Sequence, residues 1–125
     1  MALKDLSVLV CDDSMLVRKK MKEYLNSIEI SNVIEACDGQ QAIDMYKENK
    51  PSVVFMDIVM PEKTGIQAVA EILEFDKNAK VVMASSVGTQ SYLNDAINAG
   101  AYDFIQKPIC DEYVLKVLQK VSGED

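Results

Sequence analysis

The chain contains no histidine and no tryptophan. Without imidazole it lacks the commonest general base at neutral pH and the usual nitrogen ligand for zinc or copper, so any metal it binds should be a hard cation held by oxygen. Its three cysteines, Cys11, Cys37 and Cys110, are far apart and form no CxxC, which argues against a disulfide framework and a cysteine zinc site. Cys11 reads as a small buried hydrophobe and not a redox centre. No apolar run approaches the ~20 residues of a membrane span. The start Met1-Ala2-Leu3-Lys4-Asp5 lacks the apolar stretch of a signal peptide, so no membrane insertion and a cytoplasmic location are expected. Positive charge is also scarce. With 13 Lys and Arg against 20 Asp and Glu, the net charge of −7 speaks against direct binding of nucleic acid or an anionic membrane, and solubility is enough to explain it.

What is present is the balance of one globular domain: 125 residues, 49% hydrophobic and 26% charged, with no linker, repeat or low-complexity segment. Four short apolar runs end in residues that carry chemistry. Ser7-Val8-Leu9-Val10-Cys11 runs into Asp12-Asp13, and Ser52-Val53-Val54-Phe55-Met56 into Asp57. Lys80-Val81-Val82-Met83-Ala84 runs into Ser85-Ser86, and Asp103-Phe104-Ile105-Gln106 into Lys107-Pro108. Continuous runs of this kind, bounded by breakers, read as parallel strands buried on both faces. Open parallel sheets bind ligands at the carboxyl ends of their strands. Three carboxylates, one ammonium and one hydroxyl would therefore gather at one edge, a set suited to a divalent cation and a phosphoryl group.

Strand and helix patterns alternate five times along the chain, which predicts a (βα)₅ three-layer α/β sandwich with right-handed crossovers. After the first strand, at about 6–11, Ser14 is the expected N-cap of a helix with Val17, Met21, Leu25 and Ile28 on one stripe; Arg18, Lys19, Lys20 and Lys22 read as its solvated face. A weak strand follows at Val33-Ile34-Glu35-Ala36. Asp38-Gly39 then turns into a helix near 40–48 showing Ala42, Ile43 and Tyr46, and Pro51 enters the third strand. Beyond Asp57, the loop through Met60-Pro61 and Thr64-Gly65 leads to a helix whose inward set is read as Ile66, Val69, Ala70 and Leu73. The fourth strand covers 80–84. Gly88-Thr89 opens a helix with Leu93, Ala96 and Ile97 that stops at Gly100; strand five covers about 102–106, and Asp111 caps a last helix carrying Val114, Val117, Leu118 and Val121.

Asp12-Asp13, the segment Asp57-Ile58-Val59-Met60-Pro61 with Gly65 eight residues after Asp57, Ser85, and Phe104 with Lys107-Pro108 together resemble the receiver domain of two-component response regulators. Singly these motifs are common; at these intervals and over these strands they are specific. The resemblance runs from Leu6 to about Val121, so residues 1–125 are expected to form a single receiver domain with strand order 2-1-3-4-5, the flavodoxin-like arrangement. It implies that Asp57 is a phosphoacceptor, a carboxylate nucleophile that forms an acyl phosphate. It implies Mg²⁺, with Mn²⁺ as a substitute, on Asp13, Asp57 and the Val59 backbone carbonyl, with Asp12 contributing directly or through water. Lys107 would pair with a phosphoryl oxygen across a cis Lys107–Pro108 bond, an isomer found in only ~5–6% of X–Pro bonds. Ser85, preferred over Ser86 by its distance from Lys107, would hydrogen-bond another phosphoryl oxygen. Phe104 would be the aromatic switch that follows Ser85, unless it is simply a core residue.

The resemblance further implies a donor with a phosphohistidine, a histidine kinase or phosphotransfer domain, because this chain has no histidine of its own. The chain would thus be no ordinary enzyme, but a signalling domain that promotes its own phosphorylation and slowly dephosphorylates itself, with a phosphatase as a further partner. Output would pass through the face of helix 4, strand 5 and helix 5, where Tyr92, Tyr102, Gln106, Lys116 and Lys120 are candidates and an ordinary solvent surface is the alternative. The segments Ala84 to Gln90 and Ala99 to Ile105 look like stand-alone chemotaxis regulators of the CheY type, whose targets include a flagellar switch component. Few residues follow the last helix, so a stand-alone receiver is expected, with a receiver excised from a larger regulator as the alternative. Val59 and Val87, each two residues beyond Asp57 and Ser85, should border the path of attacking water and prolong the acyl phosphate, unless both merely pack. Two other classes fit less well. A haloacid-dehalogenase-like phosphatase needs an Asp at position 59, which is Val, and a flavodoxin-like flavin binder needs a hydroxyl- and glycine-rich loop where Asp12-Asp13-Ser14-Met15 stands.

Overall fold

Three of the four apolar runs form strands with alternate side chains in two different cores, which is why they show no polar alternation; the fourth, at the sheet edge, buries only Ile105. In the computed structural model, which describes residues 2–86 and 91–124, β1 (Ser7–Cys11), β2 (Asn32–Ala36), β3 (Val53–Asp57), β4 (Val81–Ser85) and β5 (Asp103–Gln106) form one parallel sheet in the order 2-1-3-4-5. Five helices connect and flank them: α1 (Met15–Ser27), α2 (Gly39–Asn49), α3 (Gly65–Phe75), α4 (Leu93–Asn98) and α5 (Asp111–Glu124). Leu9, Val54, Met56, Val81 and Met83 pack with α2, α3 and α4. Their neighbours Val8, Val10, Val53, Phe55 and Val82 pack with α1 and α5. The predicted fold class and strand order are those observed.

Local chemistry starts the helices where the sequence marks them. The Ser14 hydroxyl accepts from the Val17 N–H at 3.3 Å, and the Asp38 carboxylate from the Gln41 N–H at 2.7 Å. Thr64 and Gln67 make a reciprocal capping box at the start of α3. That cap sets the phase of α3. Its buried residues are Gly65, Ala68, Val69 and Ile72, with Ile66 and Leu73 half-buried at the flanks, so Ala70, read from the sequence as inward, faces solvent. In α4, Ala96 is buried but Ile97 is 50% exposed, so the predicted apolar stripe is only partly covered. Gly100 stands just past that helix with φ 104°, the left-handed geometry glycine adopts without strain. The expected opening of this helix at Gly88-Thr89 lies outside the described residues.

Gly65 fixes how closely α3 can approach β3. Its N–H donates to the Ile58 carbonyl at 2.7 Å, and a Cβ placed there would collide with the Asp57 carbonyl and the Ile58 backbone. Backbone, unlike a flexible side chain, cannot move aside without displacing the strand. Gly65→Ala should therefore destabilise the fold by about 2–3 kcal/mol in urea unfolding, as overpacking does. Ala70→Glu on the solvent side of the same helix should stay within ~0.5 kcal/mol of the parent. Equal losses for the two variants would contradict the packing described.

Candidate functional site

The pairing register carries the polar residues to one edge. Cys11 pairs with Met56, so the next residue on each strand is Asp12 beside Asp57. Asp57 pairs with Ala84, one residue before Ser85, and Ser85 pairs with Gln106, one residue before Lys107. Asp12, Asp57, Ser85 and Lys107 thus stand in sequence across four strand ends, at the point where the strand order reverses between β1 and β3. Open sheets of this kind have their ligand crevice there. Asp13 joins the group: Asp12, Asp13 and Asp57 each offer a carboxylate oxygen, and these oxygens lie within 4.8 Å of one another.

Asp12 is buried and held through every polar group it has. Its N–H donates to the Ala36 carbonyl (3.1 Å), its carbonyl accepts from Arg18 Nη1 (2.7 Å), its Oδ1 accepts from the Ser14 N–H (2.9 Å) and its Oδ2 accepts from Lys107 Nζ (2.8 Å). Lys107 also pairs with Asp57 Oδ2 at 3.2 Å, and the Lys107–Pro108 bond is cis. Ser85 is buried at the end of β4, whereas Asp13 is exposed. Val59 is 53% exposed and Phe104 46%, so neither is a core residue. Val87 lies outside the described residues. Cys11, beside Asp12, is buried, and burial followed by the Asp12 charge pushes its thiol far above the ordinary range, which leaves it inert.

Two residues missed in the sequence belong to the site's frame. Arg18, read there as one of four solvated cations, has its side chain only 15% exposed and reaches from α1 to the Asp12 carbonyl and, through Nε, to Glu35 on β2 at 3.1 Å. Lys19, Lys20 and Lys22 are exposed as expected. Gly39, read only as a turn residue, lets the start of α2 abut the loop after β3: a Cβ there would strike the Lys63 carbonyl. The Asp38-Gly39 pair was the available signal for it. Nothing in the spacing of Arg18 marked its partners.

Three clustered acids, of which one lysine reaches only Asp12 and Asp57, leave negative charge uncompensated. Asp57 shows the effect. Burial pushes its carboxyl above the ordinary range, the Lys107 charge opposes that, the Asp12 charge adds to it, and hydrogen bonds from Lys107 and the Val59 backbone offset part. On Lys107, burial works against the charged form, but the hydrogen bond to Asp12 and the charges of Asp57 and Asp12 outweigh it, so the ammonium is held above its usual range. An all-carboxylate oxygen set with residual negative charge is compatible with a divalent hard cation.

A raised carboxyl disfavours its own charged form in the fold. Asp57 therefore weakens the fold above its folded pKa and has no effect below its unfolded pKa, where both states are protonated. Asp57→Asn, which leaves Lys107 its Asp12 partner, should raise the urea midpoint at neutral pH in EDTA. The gain should vanish as pH falls through the carboxylate range. A variant no more stable than the parent at neutral pH would contradict this reading of the cluster.

Residues 8–119 match the family model of the response regulator receiver domain. The chain is 43% identical over 115 residues to the chemotaxis protein CheY of Thermotoga maritima, spanning 92% of this chain and 96% of that protein. It is 43% identical over 113 residues to CheY of Bacillus subtilis, spanning 90% and 94%. Among solved structures, a chain of the CheX–CheY–BeF3–Mg²⁺ complex from Borrelia burgdorferi superposes with a TM-score of 0.83 at 37% identity, covering 93% of this chain and 88% of that one. Strand order, the acids at the strand ends and these likenesses agree: the chain belongs to the response regulator receiver-domain family and is CheY-like.

Proposed function

We propose that Asp57 accepts a phosphoryl group from the phosphohistidine of a partner histidine kinase or phosphotransfer domain. The single observation that carries this reading is the placement of the half-buried Asp57 carboxylate 3.2 Å from Lys107 Nζ, within a triad of acids at the sheet's carboxyl edge. An Asp57 carboxylate oxygen attacks phosphorus, the P–N bond of the donor breaks, and its electron pair returns to the imidazole. Lys107 is close enough to Asp57 to neutralise a phosphoryl oxygen. Ser85, buried at the neighbouring strand end, supplies a hydroxyl donor for another. Water later attacks the same phosphorus and the O–P bond breaks, so Asp57 is restored. Asp12, Asp13, Asp57 and the Val59 carbonyl would hold Mg²⁺ or Mn²⁺. When bound, such a cation neutralises the acids and the phosphoryl oxygens, which otherwise repel.

Signal output is read as a shift in the α4–β5–α5 surface, with Phe104 following Ser85 as the switch. That surface carries apolar side chains open to solvent: Tyr92 is 46% exposed, Ile97 50%, Phe104 46% and Tyr113 57%. Gln106, Lys116 and Lys120 are exposed, and Tyr102 is half-buried with Lys120 Nζ 4.6 Å from its ring centroid. A protein target in chemotaxis, such as a flagellar switch component, is the proposed partner on this face, and a phosphatase is a further one. The likeness to CheY proteins over nearly their whole length supports that pathway and, with it, the proposed cytoplasmic setting. Among the described residues no helix is long and apolar enough to cross a membrane.

Incubation with acetyl phosphate and Mg²⁺ should add one phosphoryl group by intact mass, and Asp57→Asn should abolish the addition, because an amide is a far poorer nucleophile. Labelling of the Asn variant at the parent's level would remove Asp57 from this role. The exposed Val59 offers attacking water no hydrogen bond, and Val87 is assigned the same part. Val59→Asn combined with Val87→Glu should hasten loss of the phosphoryl group about 10-fold, equivalent to ~1.4 kcal/mol of barrier. Equal decay rates at saturating Mg²⁺ would show that these side chains do not set the lifetime.

A further inference from the structure

We propose that Arg18 is a positioning residue for the divalent-cation site, acting through the main chain of Asp12 and held in place by Glu35. This rests on the reading that the acidic cluster binds such a cation. Arg18 stands in the first turn of α1, yet its side chain is 15% exposed, unlike the solvated Lys19 and Lys20 beside it. Its planar fork is divided between two elements: Nη1 donates to the Asp12 carbonyl at 2.7 Å, and Nε donates to Glu35 Oε1 at 3.1 Å. Glu35 sits on β2 in register with Val10, and the neighbouring Ala36 carbonyl takes the Asp12 N–H at 3.1 Å. Both peptide planes of Asp12 are thereby fixed, one by β2 and one by Arg18. The second plane is the Asp12–Asp13 peptide, whose rotation would swing the Asp13 Cα and its carboxylate out of the triad. Asp13 is exposed, so packing does little to hold it.

Charge alone argues the opposite way. A guanidinium bonded to the Asp12 main chain, next to the acidic cluster, repels an incoming cation, so its removal should tighten metal binding if charge were all that mattered. Glu35, which Lys22 also approaches at 4.0 Å, offsets part of that charge, and the larger contribution of Arg18 is assigned to geometry. The two readings therefore predict changes of opposite sign. Lysine cannot replace the fork, because an ammonium is a point charge without two fixed, diverging donors.

The test is calorimetric titration of Mg²⁺ into the full chain at constant ionic strength, comparing the parent with Arg18→Met and Arg18→Lys, with urea unfolding in EDTA to establish that each variant is folded. Arg18→Met should bind Mg²⁺ about 10-fold more weakly, the scale on which loss of an outer-shell partner acts. Arg18→Lys, which keeps the charge, should also bind more weakly. Parent-like or tighter binding by folded Arg18→Met, or parent-like binding by Arg18→Lys, would overturn the proposal. Should Arg18→Met fail to fold, Arg18→Lys decides alone by the same criterion. A parent that binds no Mg²⁺ would instead defeat the cation-site reading and this inference with it, whereas unequal binding among folded proteins bears on Arg18 alone.

Discussion

Confinement of like charge at one edge of the sheet is the constraint on which the rest depends. Carboxylate oxygens of Asp12, Asp13 and Asp57 within 4.8 Å of one another repel strongly in a partly buried setting. At an effective dielectric of about 20, a pair of unit charges 4 Å apart interacts by ~4 kcal/mol. Lys107 answers Asp12 and Asp57 at 2.8 and 3.2 Å, and one ammonium cannot neutralise three acids. The folded chain therefore holds a site whose electrostatics favour a multivalent cation, and whose Asp57 carboxylate is partly desolvated before any ligand arrives.

The acids do not spread apart because the backbone under them has no slack. Asp12 and Asp57 continue paired strands, and Asp12 has each of its backbone and carboxylate partners in place. The loop after β3 is closed on one side by Gly65, pressed against the Asp57 carbonyl, and on the other by Gly39, pressed against the Lys63 carbonyl. Tyr46 Oη donates to Asp76 at 2.8 Å and ties α2 to the far, C-terminal end of α3. Sites built on rigid elements keep their geometry without being rebuilt for each ligand. Here the rigidity maintains repulsion that a looser chain would relax.

Much of this was legible in the sequence, for reasons that also explain the misses. Runs such as Val53 to Met56 read as strands because burial on both faces removes polar alternation, and the ends of those runs delivered the acids, Ser85 and Lys107 together. Caps were readable at Ser14 and Asp38, where a short side chain precedes a periodic segment. The phase of α3 was not. Ala70 and Ala68 are both small and apolar, and the choice between them is made by tertiary contact with β3 through Gly65. Arg18 was illegible for a similar reason: a cation off the apolar stripe reads as solvated, and only the tertiary approach of β2 and the Asp12 carbonyl supplies its partners. Phe104 could be read either way, because β5 is an edge strand on which Ile105 is buried and Phe104 is not.

The most direct measurement of the central claim, that the fold holds uncompensated acids poised for a divalent cation, is urea unfolding of the parent chain at increasing free Mg²⁺ with ionic strength kept constant by KCl. A cation that binds the folded triad and not the unfolded chain should raise stability as RT ln(1 + [Mg²⁺]/Kd), so the midpoint should stay flat at low Mg²⁺ and then climb linearly with its logarithm. A midpoint that does not move across the titration would contradict the account.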